Sequence, residues 1–249
     1  MDDHHSVQLF GVRIDALTTS ETLAAVEELV DAKAPVQHCA VNVAKVVLVQ
    51  DDPVLAAIVR DCALVNADGQ AVVWATRFLG RPVPERVAGI DLFVQLLGLA
   101  ERRGFSVYFL GATQDVVDEV VHRARARHPR LVVAGSHHGF FDQASEAALC
   151  AEIAALHPDL LFVAMPSPRK EYWLAANLEH LGTTFAMGVG GSFDVLAGLT
   201  QRAPLWMQRM GLEWFFRFAQ EPRRMWRRYL VGNLRFAALV LRERLTTRA

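Results

Sequence analysis

Apolar residues fall along this chain in short unbroken runs, separated by longer stretches where they recur every three or four positions. The runs are HCAVN (38–42), ALVNADG (63–69), SVYFLGA (106–112), LVVAGSHHG (131–139), DLLFVAM (159–165) and TTFAMGVGG (183–191). Amphipathic stretches follow them, such as QAVVWATRFL after Gly69 and a helix reaching about Arg127 after Ala112. Short apolar strands alternating with helices of about ten to fifteen residues predict a mostly parallel sheet with helices on both faces. The fold class expected is α/β, Rossmann-like. Ahead of the series, QLFGVRIDAL (8–17) reads as a short hairpin or edge strand. Thr18, three before Glu21, forms a capping box that opens the helix TTSETLAAVEELV. From about Arg202 the alternation stops. Three helical segments, near 204–219, 221–231 and 233–246, predict a C-terminal helical appendage (204–249) on a core spanning 1–203.

In parallel sheets, ligands bind outside the carboxyl ends of the strands, so the loops there carry the candidate chemistry. Asp68 ends one such run. A carboxylate in that place serves either as a general base that takes a proton from an attacking hydroxyl or as a helix N-cap. Asn42 could face the same crevice or cap the next helix. In GVGGSFD (188–194), Gly190, Gly191 and Ser192 stand between strand and helix. Bare backbone N–H groups there suit an anion or let a sugar approach closely. The spacing is not that of the dinucleotide fingerprint, and no acidic residue takes the ribose-binding place after it. GATQD (111–115) reads as a plain strand–helix turn. His137 and His138, adjacent on a strand, should point to opposite faces, and no second His/Cys pair has metal-ligand spacing, so no metal is expected. Neither a nucleophile elbow nor a P-loop occurs.

Composition adds a charge asymmetry. With 249 residues, 52% of them hydrophobic, the chain can bury a sizeable core, and its formal net charge is −1. Yet residues 205–249 hold ten Arg and no Lys against three Glu, while the remainder holds sixteen Lys and Arg against twenty-four Asp and Glu. On a helix, Arg223, Arg224, Arg227 and Arg228 cluster within about 140° of arc, opposite Met225, Trp226, Tyr229 and Leu230. Upstream, Met207, Met210, Gly211, Trp214, Phe215 and Phe218 form an apolar stripe. Such a segment is either a solvated basic face, a helix lying at an anionic membrane surface, or a guanidinium grip on diphosphate. The acidic core and the lack of a reader motif argue against a nucleic-acid partner. Three widely spaced cysteines argue against a disulfide framework and for a reducing compartment. The acidic start lacks a signal-peptide pattern, and no apolar run approaches the 18 residues of a membrane span. A cytoplasmic protein is expected.

Together NADG (66–69), LGRPVPERVAGIDLF (79–93), the HHGFF turn (137–141), MPSPRKEYW (165–173), GVGGSFDVLAG (188–198) and the long Arg/Trp-rich stretch at 202–233 resemble the WecG/TagA/CpsF glycosyltransferases, family 26. The resemblance runs from about residue 9 to the end. It implies an inverting, metal-independent transfer of a sugar from a UDP-sugar to a polyprenyl-diphosphate-linked saccharide, in polysaccharide biosynthesis at the cytoplasmic face of the membrane. By that resemblance Asp68 is the general base. Asn42, Arg86, Lys170 and Asp194 line the pocket, Ser192 and its neighbouring glycines hold sugar and nucleotide, and Arg217, Arg224 and Arg227 close over the diphosphate. Three departures stand out: Ala40 where Thr is usual, Ala71 where Gly is usual, and Lys170 where Gln is usual. The cationic Lys170 suits a carboxylated donor such as a uronic acid. The contrasting reading is a membrane-associated regulator that binds nucleotide-sugar without catalysis. Self-association is left open.

Overall fold

The computed structural model describes residues 5–220 and 222–246, leaving out the side chains at 209, 217 and 222–230. The chain opens with an antiparallel hairpin, β1 (Ser6–Leu9) and β2 (Val12–Asp15). Its two-residue turn, Phe10 and Gly11, has φ of 52° and 78°, the doubly positive geometry that matches strand twist in tight hairpins. Next comes α1 (Thr19–Asp31), opened by the expected capping box of Thr18 and Glu21. β3 (Val36–Val41) leads to α2 (Val43–Asp51) and α3 (Pro53–Asp61), which break at Asp52 because Pro53 cannot continue a helix from behind. β4 (Leu64–Ala67), α4 (Gln70–Phe78) and α5 (Gly89–Arg103) follow, then β5 (Ser106–Gly111), α6 (Gln114–Arg127), β6 (Val132–His137) and α7 (Gln143–Leu156). The core closes with β7 (Leu160–Ala164), α8 (Arg169–Asn177), β8 (Phe185–Gly188) and α9 (Ser192–Leu196).

β3 to β8 form one parallel sheet in the order β4-β3-β8-β7-β5-β6. Every residue of β7 and β4 is buried, as a sheet covered on both faces requires. Alternation along the strands sends Phe109 and Phe162 to one face, where they pack with Phe93 of α5 and Phe193 of α9. Tyr108 and Leu161 go to the other face, against Ile153 of α7 and Trp173 of α8. The hairpin shields the edge strand β4. The Asp15 carboxylate accepts from the Val65 N–H at 2.8 Å, and Arg13 donates to the Cys62 carbonyl at 2.7 Å. An exposed strand edge invites pairing with other chains, and these bonds occupy part of it.

The tail departs from the expected three segments. The first divides into α10 (Leu205–Arg209) and α11 (Glu213–Gln220), because Gly211 reverses the chain at φ 72°. A Cβ there would lie 2.5 Å from Cγ of Gln70, so the turn rests directly on α4. The second and third segments are one continuous helix, α12 (Pro222–Thr246), running straight through Gly232. The apolar stripe of 207–218 therefore does not share one helix face. Met207 is buried, while Met210, Trp214 and Phe215 are exposed.

Nor is the far end of the tail loosely attached. Phe236 is buried and meets Phe10 edge-to-face, with ring centroids 5.7 Å apart. Arg235 forms a two-bond ion pair with Asp51 at 2.7 Å, and Arg81 pairs with Glu243 at 2.6 Å. Phe236→Ala should therefore destabilise the whole protein by about 3 kcal/mol, the lower end for truncating a buried Phe. Chemical denaturation should show it as a shift of the main unfolding transition, whereas separate loss of the tail would appear as an early additional phase.

Candidate active site

Neighbouring strands β3 and β8 are followed by helices on opposite faces of the sheet, α2 packing with Cys39 and Val41 and α9 with Phe109 and Phe162, so the winding reverses at their boundary. Such reversals open a crevice at the carboxyl ends of the strands. Four neighbouring strand ends deliver the loops holding Asp68, Asn42, the 188–194 turn and Lys170, although these residues are far apart in sequence.

Asp68 follows β4. Its N–H bonds the Val41 carbonyl at 2.9 Å, which continues the sheet pairing past the strand. The N-cap of α4 is Gly69, without a side-chain cap, so Asp68 does not serve that helix. Its Oδ1 instead accepts from the N–H of Gly89 at 2.9 Å, at the start of α5. A 15-residue helix thus directs its N-terminus at the carboxylate and fixes its orientation. Oδ2 makes no hydrogen bond among the described residues. A Cβ on Gly69 would come within 3.3 Å of Cβ of Asn42, so the two loops approach closely and a side chain there would press them apart by a few tenths of an ångström. Asn42 caps α2, its Oδ1 accepting from the Lys45 N–H at 3.2 Å. Ala40 lies beside them, 3.6 Å from where a Cβ on Gly89 would stand.

Lys170 lies across the end of β8. A Cβ on Gly188 would fall 2.6 Å from its Cε, and one on Gly190 would fall 3.5 Å from its Nζ. The glycines leave the channel that this side chain fills. Gly190 also needs its positive φ of 54° to turn the chain. Nζ of Lys170 stands 3.5 Å from Oε1 of Glu171, and the same oxygen accepts from Nζ of the buried Lys45 at 2.7 Å. Oε2 of Glu171 accepts from the Ser167 hydroxyl at 2.9 Å, and Lys45 also touches Sγ of Cys39 at 3.3 Å. One carboxylate thus serves two ammonium groups.

The titration shifts follow. For Glu171 burial works against ionisation, but Lys45 and Lys170 outweigh it and hold the carboxyl below its ordinary value. For Lys45 burial is likewise overcome, by Cys39 and Glu171, and its affinity for a proton rises. Lys170 goes the other way: burial and the charge of Lys45 prevail, and its pKa is lowered. Beneath the site, burial pushes His38 down to about 4, against its bond with Asn66 at 2.9 Å. Asp68 and Lys170 both act on that imidazole, with opposite signs.

In the 188–194 turn, the Ser192 hydroxyl donates to the Val189 carbonyl at 2.8 Å, so it closes the turn. A Cβ at Gly191 would approach Oδ2 of Asp194 to 3.7 Å, which places that carboxylate against the glycine pair. Arg86 lies in the segment before α5 and pairs with Glu213 of α11 at 3.3 Å. The side chains of Arg217, Arg224 and Arg227 lie outside the described residues. His137 and His138 do not diverge, because His138 stands beyond the end of β6; their ring centroids are 4.3 Å apart. Among the described residues, no group of three or more His, Cys, Asp or Glu could hold a metal ion.

Sequence reasoning overlooked Lys45, Glu171, Arg202 and Glu213. Lys45 had a signal: a lone charge within the apolar run VAKVVLV, where a solvated lysine would leave a helix otherwise suited to burial. The other three gave no such signal, because Lys45 for Glu171, Asp91 for Arg202 and Arg86 for Glu213 come from distant segments.

Comparison with known proteins gives the family. A sequence model described as the glycosyl transferase WecG/TagA/CpsF family matches residues 7–249. Among curated relatives, the N-acetylglucosaminyldiphosphoundecaprenol N-acetyl-beta-D-mannosaminyltransferase of Bacillus spizizenii is 34% identical over 193 residues, 78% of this chain and 74% of the relative. The enzyme of the same name from Bacillus subtilis is 37% identical over 177 residues, 71% of this chain and 67% of its own length. One from Staphylococcus aureus is 33% identical over 170 residues, covering 68% of this chain and 66% of that protein. An α/β core with its candidate carboxylate at the end of β4, matched along nearly its whole length, makes this chain a member of the WecG/TagA/CpsF family of glycosyltransferases.

Proposed function

We propose that the protein transfers a sugar from a UDP-sugar to a saccharide carried on polyprenyl diphosphate, with inversion and without a metal, at the cytoplasmic face of the membrane. The acceptor class rests on the names of the relatives, which describe transfer to N-acetylglucosaminyl-diphosphoundecaprenol. The observation that carries the chemistry is Asp68, at the carboxyl end of the sheet and anchored by the Gly89 N–H.

In this reading Asp68 takes the proton of an acceptor hydroxyl as that oxygen attacks the anomeric carbon. The bond from that carbon to the UDP oxygen breaks on the opposite face, and UDP leaves with the electron pair. The diphosphate gains negative charge during this step. Arg86, Lys170 and the Gly191 N–H are assigned to it on the core side, with Arg217, Arg224 and Arg227 assigned to the same task from the tail. Cations fixed in advance stabilise developing charge without reorganising, which is where electrostatic catalysis is most effective. Asn42 and Asp194 complete the pocket. Among the described residues no helix is long and apolar enough to cross a membrane. We assign membrane contact to the exposed Leu205, Trp206, Met210, Trp214 and Phe215 of the appendage, beside its arginines.

A panel of UDP-sugars offered with synthetic lipid-diphosphate saccharides tests the proposal. Elongation of one acceptor in step with UDP release is expected. Tight binding of a UDP-sugar with no transfer to any acceptor would leave the regulator reading in its place. The surplus cation at Lys170 gives a second readout. Lys170→Gln should weaken use of a UDP-uronate more than use of a neutral UDP-sugar, by about tenfold for a lost charge-assisted contact. Equal losses in kcat/KM for both donors would remove Lys170 as a selector of donor charge.

A further inference from the structure

Glu213 stands at the first residue of α11 and reaches back to the core with both carboxylate oxygens. Oε2 pairs with Nη1 of Arg86 at 3.3 Å, and Oε1 lies 3.6 Å from Nε of Arg202. Arg202 in turn pairs with Asp91, in the first turn of α5, with one of its two bonds at 3.1 Å. Two arginines and two carboxylates thus form a chain, Arg86–Glu213–Arg202–Asp91, shielded from solvent at every member except Asp91. It joins the tail, the segment before α5 and the N-terminus of α5 itself. The same N-terminus holds Asp68 through Gly89. Gly211, two residues before Glu213, sits on Gln70 in the first turn of α4, the helix that follows Asp68. The tail is therefore fastened to both elements that frame the candidate base.

We propose that Glu213 is a positioning residue for sugar transfer. It seats α11 on the core by holding Arg86 and Arg202, and so keeps the start of α5 in register with Asp68. The charge count supports a coupling role. Without Glu213, Arg202 would keep Asp91 and Arg86 would keep no carboxylate among the described residues, and repulsion between the two arginines would open the seam between tail and core. The inference rests on the transfer reaction proposed above.

The test is Glu213→Gln, which keeps the size and removes the charge. In full-length protein, kcat/KM for transfer should fall about tenfold, as expected when reacting groups are misplaced by a fraction of an ångström. Amide exchange over residues 205–220 should quicken while that of β7 and β8 stays unchanged. Glu213→Asp should recover most of the activity. Arg202→Gln combined with Glu213→Gln should be no worse than the poorer single variant, since both break one network. Unchanged exchange in 205–220, unchanged kcat/KM, or losses that multiply in the double variant would each overturn the assignment. If the wild type transfers no sugar to any acceptor, the functional reading fails, and the exchange measurement alone then decides whether Glu213 seats the tail.

Discussion

Asp68→Asn should fold normally and turn over about 10²–10⁴-fold more slowly than the wild type, the usual contribution of general-base assistance. The substitution is nearly isosteric. The amide oxygen of Asn can still accept from the Gly89 N–H, so the one hydrogen bond that fixes the side chain survives. What disappears is the capacity to take a proton. UDP release measured with saturating acceptor should show the loss in kcat, with donor binding by calorimetry close to wild type. Near-wild-type turnover would exclude Asp68 as the base. Asp68→Ala should lose at least as much activity, and it would also leave the Gly89 N–H without its partner.

The largest effect on stability is expected at Glu171. Replacing it with Ala strands the buried Lys45 ammonium beside Cys39, without the one carboxylate that pairs with it among the described residues, and takes the acceptor away from Ser167. Breaking a buried ion pair from one side costs about 3–5 kcal/mol. Equilibrium unfolding in urea should show it as a lower midpoint. The pH dependence has a definite sign. Because the Glu171 carboxyl is held below its ordinary value in the folded state, its stabilisation is fully present above the unfolded value and is lost as pH falls through the folded one. Wild type should therefore lose stability on acidification more steeply than Glu171→Gln. Parallel acid profiles would show that this pair contributes nothing to the linkage.

Much of this fold is written in local pattern. The capping box at Thr18 depends on residues three apart, and the buried strands depend on runs of neighbours, so both can be read directly. The tail shows where locality fails. Gly232 lies inside a helix and Gly211 breaks one, although nothing in their immediate neighbours distinguishes them. The difference lies in Gln70 and Trp74 of α4, against which Gly211 must turn, whereas nothing crowds Gly232. The candidate site divides in the same way. Asp68 could be singled out because strand ends in parallel sheets carry the chemistry. That it leaves α4 uncapped and bonds to Gly89 instead depends on a contact across 21 residues. The charge surplus at Lys170 needed Lys45, 125 positions earlier, which a reading of the MPSPRKE motif alone does not contain.

The strand order has a consequence for how the molecule comes into being. β8 is the last strand of the sheet to be synthesised, yet it lies in the middle, between β3 and β7. Until it arrives, β4-β3 and β7-β5-β6 are separate ribbons that share no backbone bond, each with a bare apolar edge open to the wrong partner. Only insertion of Phe185–Gly188 joins them, and the same event brings the glycine turn and Lys170 to the end of the sheet where Asp68 stands. On the function proposed above, affinity for a nucleotide sugar would therefore arise at the moment the sheet is completed, and a donor already present in the cell would favour the correctly joined chain over either half.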